Sequence, residues 1–283
     1  MQPFAIAGLQ LELPTTGNLN QVSKKIRTAT ARYPWVQMVV LSELAICGPG
    51  IARAEPFPST TEGLLGKIAK AEGVWLVSGS LYEKKDGKVY NTATVFNPSG
   101  DIVTRYRKMY PFYPYEAGVA EGQELCIFDV PDVGRFGLSI CYDIHFPELS
   151  RALATAGAEV LIHPTLTNSN DRDVELAMVR ATAAQQQMYV IDVNGAGEQG
   201  YGRSLFTGPE GEILHAATST EEIIAIEIDL ERVKRARERG LKGLGQTLKS
   251  FRDAGHTYPQ EGLANRAEYL DTLGPLEMPR RGA

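Results

Sequence analysis

Cysteine and histidine are scarce in this chain. Its 283 residues include three cysteines, Cys47, Cys126 and Cys141, which are too few and too scattered for a disulfide framework or a zinc site. The four histidines show no spacing with carboxylates that suggests a metal site. We therefore expect a protein of a reducing compartment, by default the cytoplasm, that uses neither a metal nor an organic cofactor.

Long apolar runs and an excess of basic charge are also missing. No run approaches the roughly 20 residues of a membrane span, and the N-terminus lacks the basic stretch and cleavage site of a secretory signal. The net charge is −5, from 29 Lys and Arg against 34 Asp and Glu, which argues against a nucleic-acid surface. The basic residues at 232–239 alternate with glutamates at helical spacing, which is typical of a solvated helix face. We expect no membrane or nucleic-acid partner.

The chain does contain enough apolar residues, 43%, for a real core, and no linker or break in composition divides it. The patterns predict strands at residues 4–13, 38–42, 74–83, 91–97, 102–107, 125–130, 134–140, 160–163, 189–193, 204–207 and 222–229. They predict helices at residues 19–32, 62–72, 146–155, 173–187 and 230–239, with Asn18 and Thr61 as candidate N-caps for the first two. Turns at residues 86–87, 98–100 and 209–211 are typical of hairpins. Strands bounded by helices early and late in the chain, with hairpins between, predict an α/β protein, an α-β-β-α sandwich.

The stretch from Gly137 to Glu148 places Cys141 where a strand pattern ends and a helix pattern begins. A residue at such a turn projects from the sheet toward a cleft. The backbone N–H groups that follow it favour a thiolate and a developing oxyanion. The alternative is a buried structural cysteine, because free cysteine is among the most buried residue types.

Two other charged residues end apolar, strand-like runs. Glu43 follows residues 38–42, and because an unpaired buried carboxylate costs several kcal/mol, it needs a partner or a task. Lys108 ends the run that begins at residue 101. It is either a functional lysine or an ordinary solvated one beside Arg105 and Arg107.

In this chain order, Glu43, Lys108 and Cys141 resemble the Glu-Lys-Cys triad of the nitrilase, or carbon-nitrogen hydrolase, superfamily. The resemblance covers roughly residues 4–235 and is strongest at Leu-Ser-Glu-Leu (41–44), Tyr-Arg-Lys-Met-Tyr (106–110) and Ile-Cys-Tyr-Asp (140–143). Glu116 is similar to the second, supporting glutamate of the family's lysine loop. The match is looser at residues 182–186, where Thr-Ala-Ala-Gln-Gln stands in place of the family's usual Arg-Ala-x-Glu-Asn.

The resemblance implies the same α-β-β-α sandwich, of a four-layer type when the chain dimerises, and a mechanism. It implies that Cys141 is the nucleophile and Glu43 the general base. Lys108 and the Tyr142 N–H would stabilise the oxyanion, while Glu116 would keep Lys108 charged and oriented, or share protons with Glu43.

Nitrile-cleaving members usually have Trp-Glu directly after the cysteine, whereas this chain has Tyr142 and Asp143, which resemble the amidase-type branches. The resemblance therefore implies an amidase that hydrolyses a small primary amide to a carboxylic acid and ammonia through a thioester acyl-enzyme. Hydrolysis of N-carbamoyl compounds and of nitriles stays open. No motif in the sequence identifies the exact substrate, the pathway or an acyl-transfer activity.

Two regions are candidates for binding the acyl group of the substrate. Four aromatic residues of the lysine loop could line a pocket, although aromatic side chains also pack without such a role; they are Tyr110, Phe112, Tyr113 and Tyr115. Thr165 and Leu166 begin the loop at residues 165–168, after a predicted strand. Arg172 and Arg203 could pair with a substrate carboxylate if they point inward.

Two rivals come from other functional classes. A papain-like enzyme would need a histidine beside Cys141, and the candidates are His145, His163, His215 and His256. A non-catalytic scaffold could use the same sandwich, although a binding module has no need for Glu43, Lys108, Glu116 and Cys141 together.

We divide the chain into a carbon-nitrogen hydrolase domain at residues 1–240 and a C-terminal extension at residues 241–283. The extension is polar, with glycines at 240, 243 and 245 and prolines at 259, 275 and 279. Such segments commonly reach a neighbouring subunit in the family, so the resemblance implies an oligomerisation arm and a homodimer or higher homo-oligomer. A disordered tail is the alternative.

Overall fold

The computed structural model describes residues 3–256, 270 and 272–278. Its strands are β1 (Phe4–Gln10), β2 (Met38–Leu41), β3 (Glu55–Pro56), β4 (Trp75–Val77), β5 (Leu81–Lys85), β6 (Lys88–Phe96), β7 (Ile102–Arg107), β8 (Cys126–Val130), β9 (Gly134–Leu138), β10 (Val160–Pro164), β11 (Tyr189–Val193), β12 (Leu205–Thr207), β13 (Ile213–Ala216) and β14 (Glu222–Ile228). Its α-helices are α1 (Leu19–Arg32), α2 (Thr60–Glu72), α3 (Pro147–Thr155), α4 (Arg172–Gln186), α5 (Glu231–Arg239) and α6 (Thr247–Asp253).

The strands form two mixed sheets. The first has the order β14-β1-β2-β4-β6-β5-β3, with β7 also paired to β6, and the second has the order β13-β12-β11-β10-β9-β8. The strands β1, β2 and β4 run parallel, as do β9, β10 and β11. The other pairings are antiparallel, except that the edge strand β3 pairs parallel with β5. Parallel strands that are covered on both faces have continuous apolar runs instead of alternating patterns. This explains why β2 is Met-Val-Val-Leu and why every residue of β10 is buried.

The hydrophobic core lies in three layers. Between the sheets, Val40 of the first sheet belongs to the same buried cluster as Ile162 of the second. The outer face of the first sheet packs on α1 and α2 through residues such as Leu65. The outer face of the second sheet packs on α3 and α4 through residues such as Leu153. The order helix, sheet, sheet, helix confirms the α-β-β-α sandwich within one chain, and pairing with a second copy stays a prediction.

The helix α1 was predicted with its observed bounds because its apolar residues follow one stripe. Val22, Ile26 and Ala29 recur at helical spacing and are fully buried. Asn18 stands at the N-cap position as predicted, but its side chain makes no capping hydrogen bond and instead donates to the carbonyls of Pro14 and Ala45, each at 2.9 Å.

The cap of α2 also differs from the prediction. Ser59, not Thr61, precedes the helix: its hydroxyl accepts from the Glu62 N–H at 3.0 Å, and the Glu62 carboxylate accepts from the Ser59 N–H at 3.2 Å. The pair is a capping box, which satisfies two backbone donors at once. Thr61 lies inside the first turn and donates to Glu55.

The predicted strand at residues 74–83 is in fact two strands, β4 and β5. The chain bends between them at Gly79, whose φ of +69° lies in the left-handed region that favours glycine. The prediction missed β3, β13 and α6, which are short, and it extended β1 beyond Gln10. The three turns predicted as hairpins do join strands, β5 to β6, β6 to β7 and β12 to β13.

The part of the C-terminal extension that the structure describes begins against the hydrolase domain. Leu248 of α6 packs on the cluster of α3 and α4, and its N–H donates to the Gln187 side chain at 3.3 Å. The remainder of the proposed arm falls partly on residues 257–269, 271 and 279–283, which lie outside the described residues. Within the described ranges, no helix is both long enough and apolar enough to cross a membrane.

Candidate active site

The site lies where strands of the two facing sheets end. Glu43 follows the end of β2 by two residues, and Lys108 directly follows β7. Cys141 opens a short 3₁₀ turn, residues 141–145, three residues after β9 ends. The Glu43 N–H donates to the Thr165 carbonyl at 3.2 Å, which ties the end of the first sheet to the loop after β10 in the second.

Cys141 has a backbone φ of +47°, an uncommon value for a residue with a side chain. Residues in this region cost about 1 to 2 kcal/mol and persist where the surroundings hold them. Asp143 provides that support: its buried carboxylate accepts from the Ile140 N–H at 2.8 Å, the Tyr106 hydroxyl at 2.7 Å and the Tyr110 N–H at 2.9 Å. The same carboxylate therefore fixes the cysteine turn and the lysine loop relative to one another.

Lys108 lies between two carboxylates. Its Nζ is 2.9 Å from Oε1 of Glu43 and 2.7 Å from Oε2 of Glu116, and only 1% of the lysine is exposed. The sequence-predicted residues Glu43, Lys108 and Glu116 are thus in direct contact. The solvated alternative for Lys108 is excluded by its burial.

Neighbouring hydrogen bonds complete this buried cluster. The Asn91 side chain on β6 donates to Glu43 at 2.7 Å and to Glu116 at 3.1 Å. Tyr82 donates to Glu116 at 3.4 Å, and the Phe112 N–H donates to Glu116 at 2.7 Å. The sequence analysis missed Asn91, although an asparagine inside a strand of β-forming residues is unusual and could have signalled it.

The pKa values of these groups shift in ways that suit proton transfer. Burial raises the pKa of Glu43, although Lys108 works in the opposite direction. Burial alone would lower the pKa of Lys108, but the two carboxylates hold it well above its ordinary value. Burial would raise the pKa of Glu116, yet Lys108 and the Phe112 N–H keep it below its ordinary value. The lysine is therefore an ammonium, and Glu43 is the more basic carboxylate.

The Cys141 thiol is buried, with 7% of the residue exposed, and Thr167 Oγ1 lies 3.9 Å from its sulfur. Burial and the charge of Glu43 raise the pKa of the thiol, while Lys108 and the Leu166 N–H act against the rise. A thiol with a raised pKa is neutral at pH 7 and needs a base for attack. The Glu43 carboxylate, hydrogen-bonded to Cys141, is available for that role.

Two of the four predicted aromatic residues of the lysine loop, Tyr110 and Phe112, pack on aromatic residues at or just after the cysteine turn. Tyr110 stacks on Phe146, with 3.6 Å between ring centroids, and Phe112 lies 4.8 Å from the rings of both Tyr115 and Tyr142. Tyr113 directs its hydroxyl to a backbone carbonyl within the loop itself. Whether these rings bind substrate stays a prediction.

Thr165 and Leu166 lie beside the catalytic candidates, as predicted for loop residues after β10. The Thr165 carbonyl accepts from Glu43, and the Leu166 N–H faces the Cys141 sulfur. The two arginines do not point inward as free cations. Arg172 is buried against Glu175 and Asp192, and Arg203 pairs with the exposed Asp173 at 2.6 Å.

The histidines do not form a papain-like pair with Cys141 in the described part of the chain. His163 is the buried one, and its Nδ1 is hydrogen-bonded to Ser139 Oγ at 2.8 Å. His145 packs on the Tyr142 ring, and His215 pairs with Glu222. Across residues 3–256, 270 and 272–278, no group of three or more His, Cys, Asp and Glu side chains could hold a metal ion.

Comparison with known proteins supplies independent information. A sequence model of the family described as carbon-nitrogen hydrolase matches residues 5–238. An omega-amidase of Xenopus laevis, NIT2-A, is 31% identical over 241 residues, which cover 78% of this chain and 86% of the relative. The human omega-amidase NIT2 is 28% identical over 260 residues, which cover 84% of this chain and 93% of the relative.

The fold is similar to that of solved structures. The crystal structure of Nit3 from Saccharomyces cerevisiae, described as a member of branch 10 of the nitrilase superfamily, superposes with a TM-score of 0.77. The two chains are 28% identical, and the match covers 84% of this chain and 94% of Nit3.

Proposed function

This chain belongs to the carbon-nitrogen hydrolase family, and we propose that it hydrolyses a small primary amide to a carboxylic acid and ammonia, with Cys141 as the nucleophile. Membership makes it an amidase in the broad sense, an enzyme that cleaves C–N bonds. The nature of the amide and the roles of the residues are the proposal. The observation that carries it is the buried contact of Lys108 with Glu43 and Glu116 beside the Cys141 thiol.

In the first half-reaction, the Cys141 sulfur attacks the amide carbonyl carbon while Glu43 takes the thiol proton. Negative charge develops on the carbonyl oxygen, and the Lys108 ammonium and the Tyr142 N–H stabilise it. The C–N bond then breaks as Glu43 returns the proton to nitrogen, so ammonia leaves and a thioester remains. The raised pKa of Glu43 suits a group that must both accept and release this proton.

In the second half-reaction, Glu43 removes a proton from water, and the hydroxide attacks the thioester carbon. Collapse of this tetrahedral intermediate breaks the C–S bond, and the proton on Glu43 returns to sulfur. Glu116 takes no proton in this scheme. Its lowered pKa keeps it a carboxylate, which holds Lys108 charged and in place.

An amide is favoured over a nitrile for two reasons. The relatives named omega-amidases support amide substrates, and Tyr142 and Asp143 stand where nitrile-cleaving members usually have Trp-Glu. The aromatic residues Tyr110, Phe112, Tyr113 and Tyr115, with Thr165 and Leu166, are the proposed acyl-binding side of the site. The proposed assembly is a homodimer or a higher homo-oligomer.

The test is ammonia release from a panel of aliphatic and aromatic primary amides, N-carbamoyl compounds and matched nitriles. We expect release from amides that falls to background in Cys141→Ala and Glu43→Gln, and by about 10³-fold or more in Lys108→Ala. Cys47→Ser is the matched control, because it removes a thiol outside the site, and it should keep full activity. Turnover of nitriles or N-carbamoyl compounds in place of amides would contradict the proposed substrate, and silence across the panel would favour a scaffold.

A further inference from the structure

A second buried carboxylate, Glu175, is linked to the Cys141 thiol through Thr167. Glu175 on α4 is 4% exposed and accepts a hydrogen bond from Thr167 Oγ1 at 2.9 Å. The same Thr167 oxygen lies 3.9 Å from the Cys141 sulfur. The mechanism above uses neither Thr167 nor Glu175, although both are buried beside the nucleophile.

Two hydrogen bonds with Asn194 fix the backbone of Thr167, and the hydroxyl hydrogen is the part of the residue that can turn. Its backbone N–H donates to Asn194 Oδ1 at 2.9 Å, and its carbonyl accepts from Asn194 Nδ2 at 3.0 Å. A hydroxyl has one hydrogen to donate, which can point to Glu175, to the sulfur or to Thr165 Oγ1 at 3.3 Å, but to only one of them at a time. The hydrogen therefore points to the strongest acceptor, and the sulfur receives a hydrogen bond from Thr167 only if no other acceptor is stronger.

The Glu175 carboxylate is a stronger acceptor than the sulfur for the Thr167 hydrogen, and the contacts of its second oxygen, Oε2, hold it in place. Oε2 accepts from Arg172 at 3.1 Å, and Arg172 also pairs with Asp192 on β11. With Oε2 occupied, Oε1 faces Thr167 and attracts its hydrogen. The thiol itself faces three charged groups, Glu43 after β2, Lys108 after β7 and Glu175 on α4.

We propose that Glu175 is a positioning residue for Cys141 that acts through Thr167. By holding the Thr167 hydrogen, Glu175 keeps that hydrogen away from the sulfur, so the resting thiol keeps its own proton until Glu43 takes it. This inference rests on the proposed role of Cys141 as the nucleophile. It involves no covalent step beyond the transfer of that single proton from sulfur to Glu43.

Glu175→Gln tests the inference because Arg172 can only donate. The amide oxygen of the new side chain must face Arg172, which turns its NH₂ group toward Thr167. The Thr167 oxygen then accepts, and its hydrogen turns to the sulfur and stabilises the thiolate. The predicted outcome is a more reactive thiol, the reverse of what a merely supporting carboxylate would give.

The experiment measures iodoacetamide alkylation of Cys141 in the full-length chain across pH 6 to 10, resolved from Cys47 and Cys126 by peptide mass spectrometry. We expect Glu175→Gln to lower the thiol's apparent pKa and raise the alkylation rate at pH 7.5 by about tenfold, the effect of one pKa unit. Asp173→Asn, which removes an exposed carboxylate from the same helix, is the matched control and should alkylate as the unmodified chain does.

Variants of Thr167 show whether the effect passes through its hydroxyl. Thr167→Ser keeps the hydroxyl, so Glu175→Gln should accelerate alkylation in that background about as much as in the unmodified chain. In the Thr167→Val background, Glu175→Gln should change the rate by less than about threefold, a small fraction of one pKa unit. An equal acceleration in both backgrounds, or no acceleration by Glu175→Gln alone, would overturn the inference.

The two proposals fail in different ways. If Cys141→Ala retains amide turnover, the proposed function fails, whatever the alkylation rates. If Cys141→Ala is inactive and Glu175→Gln does not speed alkylation, the proposed function stands and only the role of Glu175 is wrong.

Discussion

Asn91 donates hydrogen bonds to two neighbouring carboxylates and so offsets part of the repulsion by which Glu116 raises the pKa of Glu43. Its amide donates to Glu43 and to Glu116, so each acid receives a hydrogen where a third negative charge would be destabilising. The donating side of this buried amide is satisfied, whereas its oxygen is buried without a hydrogen-bond partner among the described residues.

Asn91→Asp should therefore raise the pKa of Glu43 further, since a like charge disfavours the ionised form. We expect the acid limb of the pH profile of kcat/KM to move to higher pH and kcat/KM at pH 7 to fall roughly 100-fold, the lower range of a general-base contribution. Asn97→Asp makes the same chemical change in the turn after β6, and its profile should match that of the unmodified chain. An unshifted acid limb in Asn91→Asp would contradict the role given to the amide.

The site residues that could be predicted from the sequence are marked by the pattern of their own segment, whereas those that were missed are not. Glu43, Lys108 and Cys141 each end a run of strand-forming residues, so each stands out in its own segment. Asn91 does not, because its significance comes from Glu43, 48 positions away in the chain. Glu175 was missed for a similar reason: one acid on a helix is ordinary until the fold brings it to Thr167.

At the scale of secondary-structure elements, the bend between β4 and β5 packs against the backbone just after the end of β2. Gly79 has a φ of +69°, and a Cβ added there would lie 1.8 Å from the carbonyl oxygen of Ser42. Ser42 precedes Glu43, so a shift of Ser42 that relieves this clash also moves the proposed base. The contact links a turn in the first sheet to the geometry of the site.

Gly79→Ala should destabilise the fold and also reduce activity. The matched control is Gly73→Ala at the C-terminus of α2, where φ is +65° but no atom lies within 4 Å of the added Cβ. We expect Gly73→Ala to cost about 1 kcal/mol from backbone strain alone, and Gly79→Ala to cost about 1 to 3 kcal/mol more from overpacking. Urea unfolding measures both, and equal losses of stability would show that the Ser42 contact has no effect.

The fold could be predicted to the extent that elements carry their own pattern. Helix α1 and strands such as β7 and β11 appear with the bounds predicted for them, because apolar periodicity defines them. The strands β3 and β13 are two and four residues long and owe their pairing to neighbours, so no local pattern marks them. The break at Gly79 was missed because strand-forming residues flank it on both sides.

At the scale of the whole molecule, the C-terminal extension exposes apolar side chains. Leu244 is 81% exposed and Leu276 is 74% exposed, and Phe251, Leu273 and Met278 are also exposed. Contiguous exposed apolar residues mark interaction sites more often than free surface. This supports the proposed oligomerisation arm.

Truncation after Ala254 tests the arm while it keeps α6, whose Leu248 packs on the hydrolase domain. We expect light scattering to give a smaller assembly for the truncated chain than for the full chain, with circular dichroism unchanged. If the two assemblies have the same number of subunits, the extension beyond residue 254 is not the arm.

Two buried groups, Asp143 after β9 and His163 on β10, have opposite effects on the pH dependence of stability. Burial raises the pKa of Asp143 from 3.8 to about 6, so the folded state keeps a proton that the unfolded chain releases, and stability falls as pH rises from 4 to 6. Burial lowers the pKa of His163 from 6.5 to about 4, with Arg172 and Lys108 acting in the same direction. The unfolded chain then binds a proton that the folded state refuses, so stability rises with pH over the same range.

The contributions of Asp143 and His163 to the change of unfolding free energy with pH have opposite signs, so they partly cancel in the intact chain. A variant that removes one group should therefore show the contribution of the other. His163→Gln removes the rising contribution, so its free energy of unfolding should fall between pH 4 and 6 relative to the unmodified chain. Asp143→Asn removes the falling contribution and should show a relative rise. Each difference approaches about 1.4 kcal/mol per pH unit at its steepest, and urea unfolding at pH 4, 5 and 6 measures it. All other titrating groups are the same in the two variants, so they do not affect the difference between the two unfolding free energies. If the two free energies change with pH in parallel, neither Asp143 nor His163 titrates as its burial requires.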